Sequence, residues 1–233
     1  MDLITTAEGL QFLLRWFHFL AGITWIGILY YLNFVQTPYF ATDLGGQARS
    51  AMMRGLMPNA LWWFRWGAMF TFLTGWLIVF THMATGTGSM PYYTMILTGG
   101  TLGTLMWYNV WFVIMPRQRL AIASAEAVAA GGQANPEAAK QAPFAGRASR
   151  TNTLFSIPML FFMGAARHLS VVDSETPNYH VYFALVLLLA AFFEWNIFKG
   201  TAATQKPLAT VSGTIHAGLG LTLVLFVAAS VLL

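Results

Sequence analysis

Six stretches of predominantly apolar residues, each close to the length needed to cross a bilayer, dominate this 233-residue chain. They run from about Leu10 to Tyr31, Leu61 to Thr81, Tyr93 to Ile114, Leu154 to Leu169, Tyr182 to Phe198 and Leu208 to Leu232. An α-helix crosses the hydrocarbon core with about 20 such residues. Lipid offers no hydrogen-bond partners, so a spanning segment must satisfy its own backbone, as a helix does. The fourth and fifth stretches are short and are expected to extend into flanking polar residues. The expected fold is all-α: a polytopic membrane bundle of about six transmembrane helices, forming a single integral membrane domain over residues 1–233.

Charge supports that reading. Only 9% of residues are charged, against about 25% in soluble domains. Twelve basic and eight acidic residues cannot clothe a soluble fold of this size. An ordinary soluble enzyme, a disordered regulator and a nucleic-acid module are therefore excluded. The net charge of +4 is better read as orienting the chain in a bilayer. The absence of cysteine removes disulfides, thiolate-held iron–sulfur clusters, Cys-ligated zinc and covalent c-type haem.

The basic residues sort into alternate connections. Arg49, Arg54 and Arg65 follow the first stretch; Arg117, Arg119, Lys140, Arg147 and Arg150 follow the third; Lys199 and Lys206 follow the fifth. The connection around Gly86–Pro91 has no charge, and Arg167 is set against Asp173 and Glu175 in the next. Positive-inside reasoning places the basic connections in the cytoplasm and both termini outside. Arg15, near the outer end of the first stretch, counts mildly against. The opening, with Asp2 and Glu8 and no basic segment, reads as a retained span rather than a cleavable signal. Met115–Pro116 is expected to end the third span. Ala121–Ala130 reads as a short helix, Gly131–Ala134 as a break, and Asn135-Pro136-Glu137 as a new helix start. A cytoplasmic helical hairpin is expected over about 117–150.

Polar residues inside spans are expensive and usually face the bundle interior. His18 lies in the first span and His216 in the sixth, and each has glycine four residues on, Gly22 and Gly220. Residues i and i+4 share a helix face, so the bare backbone leaves a slot for a flat macrocycle beside an imidazole, a common haem ligand. Arg15, one turn before His18, could pair with a propionate. The alternative is that these glycines, with Gly213, are helix contact points and the histidines bond across the bundle. His18 lies roughly 13 Å deep and His216 roughly 24 Å from the outer end, taking 1.5 Å per residue. One haem between them needs tilt, so His82 or His168 is an alternative partner for His18, and two haems are a further option. His82, His168 and His180 could instead bind copper or zinc, or simply face water. Glu194, in F-F-E-W-N, is expected to pair with Arg65 or Arg150, or to carry protons. Trp62, Trp63 and Trp66 read as an interfacial belt. Trp107 and Trp111 share a face and either pack or line a cofactor pocket. The methionines read as packing, and no phosphate loop, G-x-S-x-G or H-E-x-x-H is present.

Three segments carry a family resemblance: Leu13–Gly27 (LLRWFHFLAGITWIG), Leu61–Trp76 (LWWFRWGAMFTFLTGW), and Asn109–Gln118 (NVWFVIMPRQ) with Arg147–Met163 (RASRTNTLFSIPMLFFM). In these the chain resembles the N-terminal membrane domain of the bacterial membrane-bound urate hydroxylase (urate oxidase) family. The resemblance implies a redox setting in a bacterial inner membrane. Family members are longer and usually carry a cytochrome c domain with C-x-x-C-H. This chain has no cysteine, and Ala41–Ala60 lacks the histidines associated with the family there, so it reads as a shortened form without that domain.

Three functions compete. The first is a membrane redox subunit holding b-type haem through His18 and a second histidine, and passing electrons between a quinol or membrane partner and an outer acceptor such as a cytochrome c. The second is a cofactor-free accessory subunit of a larger respiratory or oxidase complex. The third is a retained urate-oxidase-like oxidoreductase. A transporter is the weakest option, because the spans hold few charges.

Overall fold

Threonine and asparagine set several of the helix starts. Thr6, Thr42 and Thr210 each accept a hydrogen bond from a backbone N–H three residues on, at 3.1, 3.1 and 3.0 Å. Such caps satisfy donors that a first turn leaves unpaired. In the computed structural model, which describes residues 3–169 and 176–233, the elements are helices throughout: α1 (Ala7–Tyr30), α2 (Thr37–Tyr39), α3 (Asp43–Gly55), α4 (Met57–Thr85), α5 (Met90–Tyr108), α6 (Met115–Ala129), α7 (Pro136–His168), α8 (Tyr179–Lys199), α9 (Ala202–Gln205) and α10 (Val211–Leu232). Asp2, Asp173 and Glu175, used above for the charge reading, lie outside the described residues.

Two π-helical segments, Tyr31–Gln36 and Asn109–Ile114, join α1 to α2 and α5 to α6. At the end of each, an N–H reaches back five residues, from Thr37 to Leu32 and from Met115 to Val110, and proline follows at once. Met115–Pro116 therefore does not end the helix, which runs on to Ala129. In the wider turn the carbonyl that a proline ring would crowd is displaced, and the missing N–H is tolerated.

The chain divides into two compact units: Met1–Gly75 with Trp107–Arg150, and Trp76–Met106 with Thr151–Leu233. In the first, α1 crosses α4 closely at Gly67, where a Cβ would stand 3.1 Å from the Trp25 nitrogen and 3.3 Å from the Ala21 carbonyl oxygen. Asn33 donates to the Leu29 carbonyl (2.9 Å) and to the Ser149 hydroxyl (2.8 Å), tying the first π segment to α7. In the second unit, every residue from Thr151 to Ser156 is buried. Asn152 donates to the Met106 carbonyl at 2.9 Å, and the Thr98 and Tyr182 hydroxyls meet at 3.1 Å.

Among the described residues, four helices are long and apolar enough to cross a membrane: Ala7–Tyr39, Met57–Thr85, Tyr179–Lys199 and Val211–Leu232. Of the six expected spans, these contain the first, second and fifth, and all but the opening turn of the sixth. The third and fourth fall in α5 with its π segment and in α7, which are helical but too polar for that set. The reason is burial. The four apolar helices expose large side chains such as Phe19, Phe70, Leu188 and Leu223. α5 and α7 instead bury Thr94, Thr98, Thr151, Asn152, Thr153 and Ser156. A helix sheltered by protein has no need of an apolar surface.

Candidate functional site

The histidines and arginine singled out from the sequence separate between the units. His18, Arg15 and Gly22 lie in the first; His82, His168, His216 and Gly220 lie in the second. Among the described residues no group of three or more His, Asp or Glu is placed to hold a metal ion.

Hydrogen bonds settle which ring nitrogen of His18 and of His216 is free to accept. The Thr74 hydroxyl sits 2.6 Å from the Phe70 carbonyl, to which it donates, and 3.0 Å from His18 Nδ1. His18 Nδ1–H is then the donor to Thr74, and Nε2 carries the lone pair. The ring lies against bare backbone, since a Cβ on Gly75 would stand 3.0 Å from its Cε1. His216 Nδ1 donates to the Ser212 carbonyl at 2.7 Å, again leaving Nε2 as acceptor. His216 and Gly220 both stand on the exposed stripe of α10, with Leu219 and Leu223. His82 differs. It is buried at 2% exposure, its Nδ1 meets the Thr87 hydroxyl at 2.8 Å, and its Nε2 accepts from Arg167 at 3.4 Å. The Arg167 guanidinium also stands 5.0 Å over the Tyr92 ring, which packs against His82. His82 is thus a clamp between helix ends rather than an open ligand. His168 is exposed at the end of α7.

Arg15 bonds Gln11 at 3.4 Å, on its own helix. A Cβ on Gly22 would make only ordinary contact with Thr71, and one on Gly220 would meet nothing within 4 Å. Gly213 is there for the helix start, where a Cβ would crowd the Pro207 carbonyl at 2.5 Å. Neither Arg65 nor Arg150, the expected partners of Glu194, forms an ion pair among the described residues.

A second constellation, in the first unit, was only partly visible in the sequence. Arg65 lies with its guanidinium carbon 5.7 Å from the Trp66 ring centre and 6.0 Å from that of Trp111. Those two rings meet edge to face at 5.5 Å. Trp107, one turn before Trp111, stacks on Phe72 at 4.2 Å. Trp25, 1% exposed, reaches the same stretch of α4 through the crossing at Gly67. The indole N–H groups of Trp25, Trp107 and Trp111 and the Nε–H of Arg65 are all buried without a hydrogen-bond partner. A buried donor left unsatisfied costs about 1–3 kcal/mol, and two of these, on Arg65 and Trp111, belong to side chains that face each other, with Trp107 one turn away. Every one is a donor. The expected interfacial belt residues Trp62 and Trp63 are 46% and 54% exposed, and Trp62 borders this cluster with its ring 6.5 Å from that of Trp66.

The comparisons with known proteins fall on the second half of the chain. A family model described as urate oxidase N-terminal matches residues 92–228. No curated protein and no solved structure matches.

Proposed function

Because the chain belongs to the urate oxidase N-terminal family, we propose that it is the membrane part of a urate-oxidase-like oxidoreductase. In this role it oxidises urate or a related purine and passes the electrons to a c-type cytochrome or quinone partner. The family match, which spans more than half of the chain, carries this reading. Hydroxylation of the purine with oxygen from water releases two electrons and two protons; the electrons go singly to two c-type cytochromes, or together to one quinone that leaves as quinol.

The membrane topology we infer has six crossings with both termini outside, in a bacterial inner membrane. α5 and α7 complete the six as sheltered central helices, since their polar residues are buried against protein rather than set toward lipid. α7 has 33 residues, about 50 Å at 1.5 Å per residue. That exceeds a hydrocarbon core of about 30 Å, so its basic first half extends into the cytoplasm with α6.

A b-type haem would be held through Nε2 of His18 or His216. Both rings donate Nδ1–H to oxygen, at 3.0 and 2.7 Å. That is the second-shell arrangement of a metal-bound imidazole. Such a haem would supply a one-electron relay, and Arg15, one turn before His18, would pair with a propionate of a haem held there.

The test uses the purified full chain in lipid nanodiscs. Urate-dependent reduction of a c-type cytochrome, followed optically, is the expected result. A pyridine haemochrome assay on the same sample reads the haem. Absence of both activity and b-type haem overturns the redox reading and leaves an accessory subunit.

A further inference from the structure

Resting on that reading, we propose that the substrate seat lies in the first unit, at Arg65, Trp66 and Trp111, with Trp107 one turn before Trp111. It takes a flat monoanion edged with carbonyl oxygens, of which urate is the representative. Three features of the cluster set the ligand's chemistry.

Within the cluster, the buried groups without partners are N–H donors: the Trp107 and Trp111 indoles and the Arg65 Nε. A ligand that answers them must turn acceptors, carbonyl oxygens or a deprotonated ring nitrogen, toward them. Arg65 forms no ion pair among the described residues, so the ligand must also supply the negative charge. The guanidinium is a planar fork that suits paired acceptors on a flat anion. Finally, the walls are aromatic. Trp66 and Trp111 meet edge to face, and Trp107 already stacks on Phe72, so faces and edges of indole are the local surface. Flat rings pack on such surfaces in offset or tilted geometries. A tetrahedral phosphate would use the charge but not the walls.

The placement is held from the backbone. Arg65 and Trp66 are on α4, Trp111 is in the π segment, and Trp107 is the turn before it. A π segment inserts an extra residue and turns the side chains that follow. That rotation sets Trp111 against Trp66 while the backbone continues as a helix.

Binding of labelled urate to the full chain in nanodiscs of zwitterionic lipid tests the assignment, with tryptophan fluorescence as a second readout. Arg65→Gln is expected to weaken binding at least tenfold. Arg65→Lys, which keeps the charge but loses the fork, falls in between. Trp111→Phe, which keeps a ring but loses the N–H, weakens binding several-fold. Trp195→Phe, on exposed α8, leaves it unchanged. Thermal stability of each variant is read alongside. Wild-type binding that Arg65→Gln, Arg65→Lys and Trp111→Phe all leave intact overturns the site alone and spares the family reading. Failure of the wild-type chain to bind urate, with or without a c-type acceptor, overturns both. Displacement of urate by inorganic phosphate, or its loss in phosphatidylglycerol discs, reassigns the seat to an anionic headgroup and overturns the substrate assignment.

Discussion

Two glycines on α10, two residues apart, offer a controlled measurement of how tightly this bundle is packed. A Cβ on Gly218 would stand 2.9 Å from the Leu154 carbonyl oxygen, 2.6 Å from Ile157 Cδ1 and 3.2 Å from Ile157 Cβ. A Cβ on Gly220 would meet nothing within 4 Å. Both replacements by alanine gain the same helix propensity, about 1 kcal/mol. At Gly218 the Ile157 terminus can rotate, but the Leu154 carbonyl belongs to the α7 backbone, so the helices must separate. Overpacking of this kind costs about 1–3 kcal/mol. Gly218→Ala should therefore be neutral to about 2 kcal/mol destabilising, and Gly220→Ala about 1 kcal/mol stabilising. For a chain of this size 1 kcal/mol shifts Tm by about 2–4 °C. The expected gap between the two variants is then roughly 2–12 °C, with Gly218→Ala the lower. Thermal unfolding in detergent, followed by loss of the monodisperse gel-filtration peak, measures it. A Gly218→Ala protein as stable as Gly220→Ala would refute the close α7–α10 contact and the buried position of α7 that depends on it.

Removing the Asn152 amide as Asn152→Leu leaves the buried Met106 carbonyl without its 2.9 Å donor, and should cost about 1–3 kcal/mol in the same unfolding assay. Tyr182→Phe removes one hydroxyl from the 3.1 Å pair with Thr98 and should cost about 1 kcal/mol; an unchanged Tm would show that this pair adds nothing. His18→Ala or His216→Ala should lower the b-type haem signal of the purified chain, whereas His82→Ala should lower thermal stability and spare the spectrum, because both its ring nitrogens are already bonded. A spectrum lost only in His82→Ala would reverse that division of roles.

The helical elements were legible because their signals are local. Apolar runs near 20 residues and the Asn135–Glu137 start are each written within one span or one turn. In the structure the Asn135 side chain accepts from the Glu137 N–H at 2.9 Å, at the head of α7. The two π segments were not legible, since proline at 38 and 116 reads locally as a stop, and only the widened turn before it lets the helix continue. The central helices were read as spans from hydropathy alone. Their distinguishing trait is a buried polar run, Thr151–Ser156, and this depends on neighbours that no sequence window contains.

Searching for function by histidine followed from chemistry that a lone residue can announce, and it led to side chains that the structure spreads over two units. The cluster around Arg65 announces itself differently. Tryptophan within a span reads as packing or as an interfacial anchor, and Trp107 and Trp111 fit either description until the fate of their N–H groups is known. What separates a structural indole from a binding one is whether the fold supplies an acceptor, and that is a property of the surroundings. In this chain Trp76, in the second unit, donates to the Thr104 hydroxyl at 3.2 Å, while Trp25, Trp107 and Trp111 bury theirs without a partner. The same residue type is closed off in one unit and left open in the other. One of the open set, Trp111, lies against Arg65, an arginine without an ion pair among the described residues, so charge and hydrogen-bond demand fall on one place. That coincidence, more than any single side chain, marks the first unit as the part of the molecule suited to hold an anion.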